Sequence, residues 1–345
     1  MKTHAIIPIF IPHKGCPHDC VFCNQRRITA RTETPSVLDI EQIIERNLST
    51  IEKSGIKEVE IAYFGGSFTG LDVEEQSRLL EPAVRYKAGG RIRRIRLSTR
   101  PDYIDDAIIA HLKAHNVDAV ELGAQSFDDD VLAASGRGHT AAQTVAAFES
   151  LKAAGFETAL QLMSGLPSST PLSDINSAKI TAALQPTATR LYPSVILKDT
   201  ALHDMYTSGK YIPPSQSEML DTVKQMYIIL NEANVKIMRV GLKSTDVINA
   251  ESDALSGSYH PAFRQLVESS IAYDKILNQI DKTIPPLQCA EQQSITIYAN
   301  SSSLSNAAGH KGSNRKALQK SYPSSTINFK ADDSLPDNTY KVTQT

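Results

Sequence analysis

Hydrophobic runs alternate with helical patterns from residue 5 to about 240, and this rhythm constrains the fold more than any other feature of the chain. Such alternation predicts repeated βα units around a parallel sheet. Strands are expected near 5–11, 58–64, 93–99, 117–123, 157–164 and 188–196. Between them, LDIEQIIERNLSTIEK (38–53), DVEEQSRLLEPAVRY (72–86) and TAAQTVAAFESLKAAG (140–155) carry apolar residues at three-to-four spacing. The last closes on Gly155, an expected helix C-cap. Six such units with right-handed crossovers curl into a partial (β/α)6 TIM-like barrel, an α/β fold whose reactive groups belong on loops leaving the carboxyl ends of the strands.

After residue 240 the rhythm changes. A polar stretch, KSTDVINAESDALSGS (243–258), precedes a helix expected near 261–278, a Pro-Pro break at 285–286 and a short βαβ-like tail. This predicts a barrel with a helical extension over 1–285 and a small α/β unit over 286–345. With 345 residues, 41% of them hydrophobic, the chain can bury a full core. Its 36 basic and 38 acidic residues leave a net charge of -2, so no polyanion-coating protein is indicated by totals. Residues 1–12 are too short and too proline-broken for a signal peptide, and no apolar run is long enough to cross a membrane, so a cytoplasmic protein is expected.

Three of the four cysteines fall within eight positions, in KGCPHDCVFCNQ directly after the first expected strand. An oxidised secreted framework would spread them out, whereas clustered thiols point to a metal. The spacing C-x3-C-x2-C, on Cys16, Cys20 and Cys23, can cap three corners of an iron–sulfur cubane and leave one iron without a protein ligand. A zinc loop would want a fourth ligand, for which His13 and His18 are the nearby candidates. Cys289 lies far off and reads as a small buried residue.

The loop, with Phe22 just before its last cysteine, resembles the cluster loop of the radical S-adenosylmethionine superfamily. YFGGSFTG (63–70), LSTRPDYI (97–104), VELGAQSFDDDVL (120–132), SGRGHT (135–140), LQLMSGLP (160–167) and RLYPSVILKDTALHDMY (190–206) follow in family order. Together they resemble the radical domain of the Elongator catalytic subunit and, more distantly, the oxygen-independent coproporphyrinogen oxidases. The resemblance implies a 4Fe-4S cluster on the three cysteines, S-adenosylmethionine on the fourth iron, and reductive cleavage to a 5'-deoxyadenosyl radical. It also implies an electron donor such as flavodoxin or ferredoxin. By the same resemblance Gly65, Gly66 and Ser67 form the loop that receives the methionyl amino group, and Ser98 falls at the mouth of the third strand. Gln125 and Arg137 fall where relatives contact the methionyl carboxylate and ribose. Gln161 stands where many relatives carry an acid for the ribose hydroxyls, and Tyr192 lies beside the adenine.

The Elongator subunit pairs its radical domain with an acetyltransferase domain to modify wobble uridines in tRNA. Little more than about half a typical domain follows residue 285, so that second domain is not expected here. In the tail, SITIYA, SSSLSNAA, GHKG (309–312), SNRKALQKS and STINFKA give a strand–helix–turn–helix–strand order that resembles a minimal KH-type unit, whose Gly-x-x-Gly loop clamps a nucleic-acid backbone. The alternative is an α/β cap with a glycine turn. Three functions follow as expectations: a radical enzyme acting on RNA such as tRNA, one acting on a small metabolite such as a tetrapyrrole, or a non-catalytic metal-binding module.

Overall fold

Alternate residues of the first strand, β1 (His4–Ile11), set the inside and outside of the sheet. Ile7, Ile9 and Ile11 are buried on the face covered by helix α1 (Val37–Lys53), which answers with a stripe of Ile40, Ile44 and Leu48. Ser36 and Asp39 close a capping box at the start of that helix. The structure is a computed structural model and describes residues 3–11, 15–16, 20–23, 34–242, 259–283 and 294–344. His13, His18, Cys289, the polar stretch 243–258 and the Pro-Pro break lie outside them.

The same βα step repeats through β2 (Glu58–Gly65), α2 (Val73–Ala88), β3 (Arg94–Thr99), α3 (Asp106–Ala114) and β4 (Ala119–Gln125). It continues with α4 (Asp129–Ala134), α5 (Ala141–Ala153), β5 (Glu157–Ser164), α6 (Pro171–Leu184), β6 (Ala188–Pro193), α7 (Ala201–Thr207), α8 (Gln216–Glu232) and β7 (Lys236–Val240). Every neighbouring pair is parallel, and the order β1 to β7 follows the chain, giving the curled, partial TIM-like barrel that the rhythm predicts. A seventh strand, β7, adds to the six expected. At the end of α5, Ala154 is the C-cap and Gly155, at φ 87°, is the left-handed residue after it.

Side chains on the helix-covered face are apolar, whereas the concave face carries charge. Tyr63 turns outward and donates to the Leu79 carbonyl at 2.7 Å. The buried Glu60, Arg96 and Glu121 and the partly buried Arg190 form a chain of charges inside. Arg96 meets Glu60 at 2.5 Å, Arg190 meets Glu121 at 3.2 Å, and both guanidiniums lie over the Phe64 ring at 5.8 and 5.2 Å. Burial pushes the Glu121 carboxyl up, against the pull of Arg190 and Arg96.

Asp174, in the first turns of α6, is also buried and accepts from the Gly165 amide at 2.9 Å. Burial pushes its pKa up from 3.8 to about 7. A raised carboxyl stabilises the fold fully below its unfolded pKa and loses that contribution as pH climbs through the folded value. Asp174→Asn keeps an acceptor for Gly165 without a charge. Between pH 4 and 8 the wild type is therefore expected to lose about 4 kcal/mol relative to the variant, read as the difference between their urea-unfolding free energies across that range.

By contact the chain divides into Met1–Thr222 with Met226–Pro261, and Val223–Gln225 with Ala262–Thr345. The division falls ahead of the residue 285 suggested by the sequence rhythm, because helix α9 (Phe263–Thr283) belongs to the second unit. Its Ala272, Ile276 and Ile280 bury against Ile295 and Ile297 of β8 (Ser294–Ala299), Leu318 of α11 and Val342 of β10. That unit runs β8, α10 (Leu304–Ala308), α11 (Ser313–Ser321), β9 (Thr326–Ala331) and β10 (Tyr340–Gln344), with sheet order β10-β8-β9. Strands β8 and β9 are parallel, and the unpredicted β10 pairs antiparallel with β8.

Candidate functional site: the cysteine loop and the strand mouths

The cysteine loop leaves β1 and is pinned on three sides. Val21 donates to the Ser135 carbonyl at 3.1 Å, Leu202 donates back to Val21 at 2.7 Å, and the Cys23 amide closes a turn on Cys20 at 2.9 Å. Phe22 packs with Tyr192 against Val131, Met163 and Leu166, and with Val21 against Ile196, Leu202 and Tyr211. Gly15, at φ 74°, approaches Gly70 so closely that a Cβ on either would collide with backbone of the other segment. The cysteine loop and the YFGGSFTG loop are thus docked through glycine backbone.

Gly65 ends β2 at φ 118°, and a Cβ there would strike the Ile11 carbonyl oxygen. That oxygen accepts from the Gly66 amide at 2.9 Å. The first glycine therefore serves the close approach of β1, in addition to any ligand. Ser67 is 1% exposed, and its hydroxyl is spent on Thr99 at 2.8 Å and on the Arg100 amide at 3.2 Å. Its backbone amide bonds the Cys16 sulfur. Burial pushes the Cys16 thiol up, while this amide and the charges of Arg100 and Arg137 pull it down.

Within β4 the chain bulges between Leu122 and Gln125, and Gln125 takes φ 66°. This turns its amide across the mouth, where its oxygen accepts from the Gln161 amide at 3.0 Å. The structure thus joins the two glutamines. Ser98, at the end of β3, stands in register with Glu121. Tyr192 accepts at its hydroxyl from Arg190 at 3.4 Å, which ties it to the concave charge chain.

Arg137 is 5% exposed. Its Nη1 donates to the Cys20 sulfur at 3.2 Å and its Nη2 to the Gly123 carbonyl at 2.5 Å. Its own carbonyl accepts from Arg100 Nη2, and Arg100 also forks onto Asp102 at 2.9 and 2.7 Å. Thr99, Arg100 and Asp102 are the residues that sequence reasoning left without a role. Their signal was present in LSTRPDYI, where only the serine was singled out. His139 is buried, and burial followed by the Arg137 charge lowers its pKa to about 4, so it is neutral near pH 7.

Among the described residues, Cys16, Cys20 and Cys23 form no disulfide. Among the described residues no group of three or more His, Cys, Asp or Glu side chains could hold a metal ion. A cubane asks for something different, thiolates at separate corners with donors aimed at their sulfurs. The loop supplies the thiols, and Ser67 and Arg137 supply the donors, so the residues fit such a group. Among the described residues no helix is long and apolar enough to cross a membrane.

In the second unit the GHKG segment forms a kinked turn. The Gly312 amide donates to the Gly309 carbonyl at 2.9 Å, and the Gly309 amide to Ser305 at 3.0 Å. A Cβ on Gly309 would crowd Ser313 and Asn314, and His310 Nδ1 lies 3.0 Å from Gln265 Oε1. Both glycines therefore serve the turn, and the exposed cations nearby are Lys311, Arg315, Lys316 and Lys320.

The chain is 25% identical over 257 residues to a tRNA uridine(34) acetyltransferase of Methanocaldococcus infernus, covering 64% of this chain and 48% of that protein. It is 26% identical over 303 residues to the tRNA uridine(34) acetyltransferase of Dehalococcoides mccartyi, covering 77% of this chain and 64% of that one. The chain thus spans less than two thirds of the length of either relative. The solved structure of M. infernus Elp3 superposes with a TM-score of 0.62 at 21% identity, over 79% of this chain and 64% of the other, a likeness of fold. Residues 10–172 match the model of the radical SAM superfamily, and residues 186–273 match that of the radical SAM C-terminal domain. With both models matched in order across most of its length, the chain belongs to the radical SAM superfamily, whose members are enzymes that use a 4Fe-4S cluster and S-adenosylmethionine.

Proposed function

We infer that this chain is a radical S-adenosylmethionine enzyme acting on RNA of the tRNA class, with its cluster on Cys16, Cys20 and Cys23. The observation that carries the reading is the docking of the cysteine loop onto the glycine loop after β2, with donors aimed at the sulfurs of Cys16 and Cys20. Held on Cys16, Cys20 and Cys23, a bound cluster would supply the electron for reductive cleavage of S-adenosylmethionine. A flavodoxin or ferredoxin is the proposed electron source. The chain's own residues bind and orient. Gly66 and Ser67 flank the amino group, the Gln125–Gln161 pair presents amides to the ribose, and Tyr192 with Phe22 forms an apolar wall for the adenine. Gln161 can serve hydroxyls as an amide because it both donates and accepts.

RNA is favoured as substrate because the matched relatives are named for tRNA uridine(34). In the second unit the support lies in the exposed cations, since the glycine amides are spent in the turn. Anaerobically reconstituted protein with dithionite is expected to release 5'-deoxyadenosine, and unmodified tRNA to raise that release. Lys311→Asp with Lys316→Asp is expected to weaken tRNA binding at least tenfold at low salt while leaving RNA-independent cleavage unchanged. Stimulation by a metabolite extract and not by tRNA would move the small-metabolite reading ahead. Wild-type RNA affinity in the double variant would make the second unit a structural cap.

A further inference from the structure

The sulfurs of Cys16 and Cys20 each face a hydrogen-bond donor that the fold holds in place. Cys16 faces the Ser67 backbone amide, which side-chain substitution cannot remove. Cys20 faces Arg137, which substitution can. We propose that Arg137 sets the reduction potential of the cluster by holding a charged N–H donor against the sulfur of Cys20. The proposal rests on the reading above that Cys20 is a cluster ligand.

Accepting one electron adds one negative charge to the cluster and its thiolates. A donor on a ligand sulfur, backed by a full positive charge in a site nearly closed to water, stabilises the more negative state and raises the potential. Arg137 is built for this. It is 5% exposed, so solvent screens its charge little. Its Nη2 is anchored on Gly123 at 2.5 Å, its amide donates to Leu132 at 3.0 Å, and its carbonyl is held by Arg100. Gly136 and Gly138 on either side take φ 63° and 71°, which turn the loop back toward the cysteines. On β4, a Cβ at Gly123 would lie 3.4 Å from Nη2 and 2.8 Å from the Gln125 amide nitrogen, so the guanidinium crosses the strand where no side chain obstructs it.

This placement adds a role to the one expected for Arg137. Two of its five N–H donors are engaged by the chain itself, on Cys20 and Gly123, while its buried Nε has no hydrogen-bond partner, so a contact with the sulfur can coexist with one to a carboxylate. The carboxylate role predicts an effect on cofactor affinity. The role proposed here predicts an effect on the cluster when no S-adenosylmethionine is present.

The experiment is a midpoint measurement by EPR on anaerobically reconstituted full-length chain without S-adenosylmethionine, poised with dithionite and mediators as the one-electron source. At the wild-type midpoint, Arg137→Gln is expected to lower the ratio of reduced to oxidised cluster at least tenfold, a fall of 59 mV for a one-electron couple. Arg137→Lys, which keeps the charge but not the fork, is expected to fall by less. A fully loaded Arg137→Gln cluster with an unchanged midpoint overturns the proposal and returns Arg137 to a carboxylate-binding or bracing role. Should Arg137→Gln fail to hold iron, wild-type chain grown with 15N-arginine decides. Pulsed EPR of its reduced cluster is expected to show a nitrogen coupling that Arg137→Lys lacks, and no coupling overturns the proposal. Absence of iron from the reconstituted wild type would instead overturn the cluster assignment on which the proposal rests.

Discussion

Replacing Cys16, Cys20 or Cys23 by Ala is expected to take anaerobically reconstituted protein from about four irons per chain to near none, and the wild-type chromophore to bleach in air because one iron lacks a protein ligand. The losses should also be felt in the fold. Cys20 is 8% exposed and receives Arg137, so its removal leaves a buried guanidinium N–H unpaired, at a cost of about 1–3 kcal/mol. Cys16 is half-buried but receives the buried Ser67 amide, so its removal likewise leaves an N–H unpaired and is expected to destabilise the metal-free chain as well. Cys289→Ala is expected to keep its iron. Iron and sulfide assays with thermal unfolding of the metal-free chains check both claims. A wild type that retains zinc and takes up no iron would overturn the cluster assignment.

Much of this architecture was legible because the chemistry is local in the chain. The strands announce themselves by period-two patterns such as Ile7, Ile9 and Ile11, and the three thiols sit on one loop whatever the fold around them. Strand β7, KIMRV, escaped because its Lys and Arg interrupt a short apolar run, and β10, YKVTQ, because it is brief and mostly polar. The unit boundary was misplaced for a different reason. The stripe Ala272, Ile276 and Ile280 predicts a buried helix face but not which sheet buries it, and the answer is the sheet that follows in sequence. The site was readable as a list of residues and not as a set of contacts. Arg137 reaches a sulfur 117 positions away, and Gln125 meets Gln161 only because a bulge turns it. Both depend on how strands stack, which no local pattern encodes.

The contact between Gly15 and Gly70 was equally hidden, and it yields the second large expected effect. Gly15→Ala and Gly70→Ala each place a methyl group against backbone of the other loop, where no flexible side chain can move aside. Overpacking of this kind costs about 1–3 kcal/mol, and at Gly15 the left-handed φ of 74° adds roughly 1–2 kcal/mol. The loops must part to accommodate the methyl, and with them Cys16, the next residue, moves away from the Ser67 amide. Gly155→Ala separates the two contributions, since its φ is 87° but nothing lies within 4 Å of the new methyl. That control is expected to lose about 1 kcal/mol, or about 2 to 4 °C in Tm, and to hold a full complement of iron. Gly15→Ala should lose two to four times as much stability and most of its iron after identical reconstitution. If Gly15→Ala instead matches Gly155→Ala in both Tm and iron, the glycine contact does not position the cysteine loop.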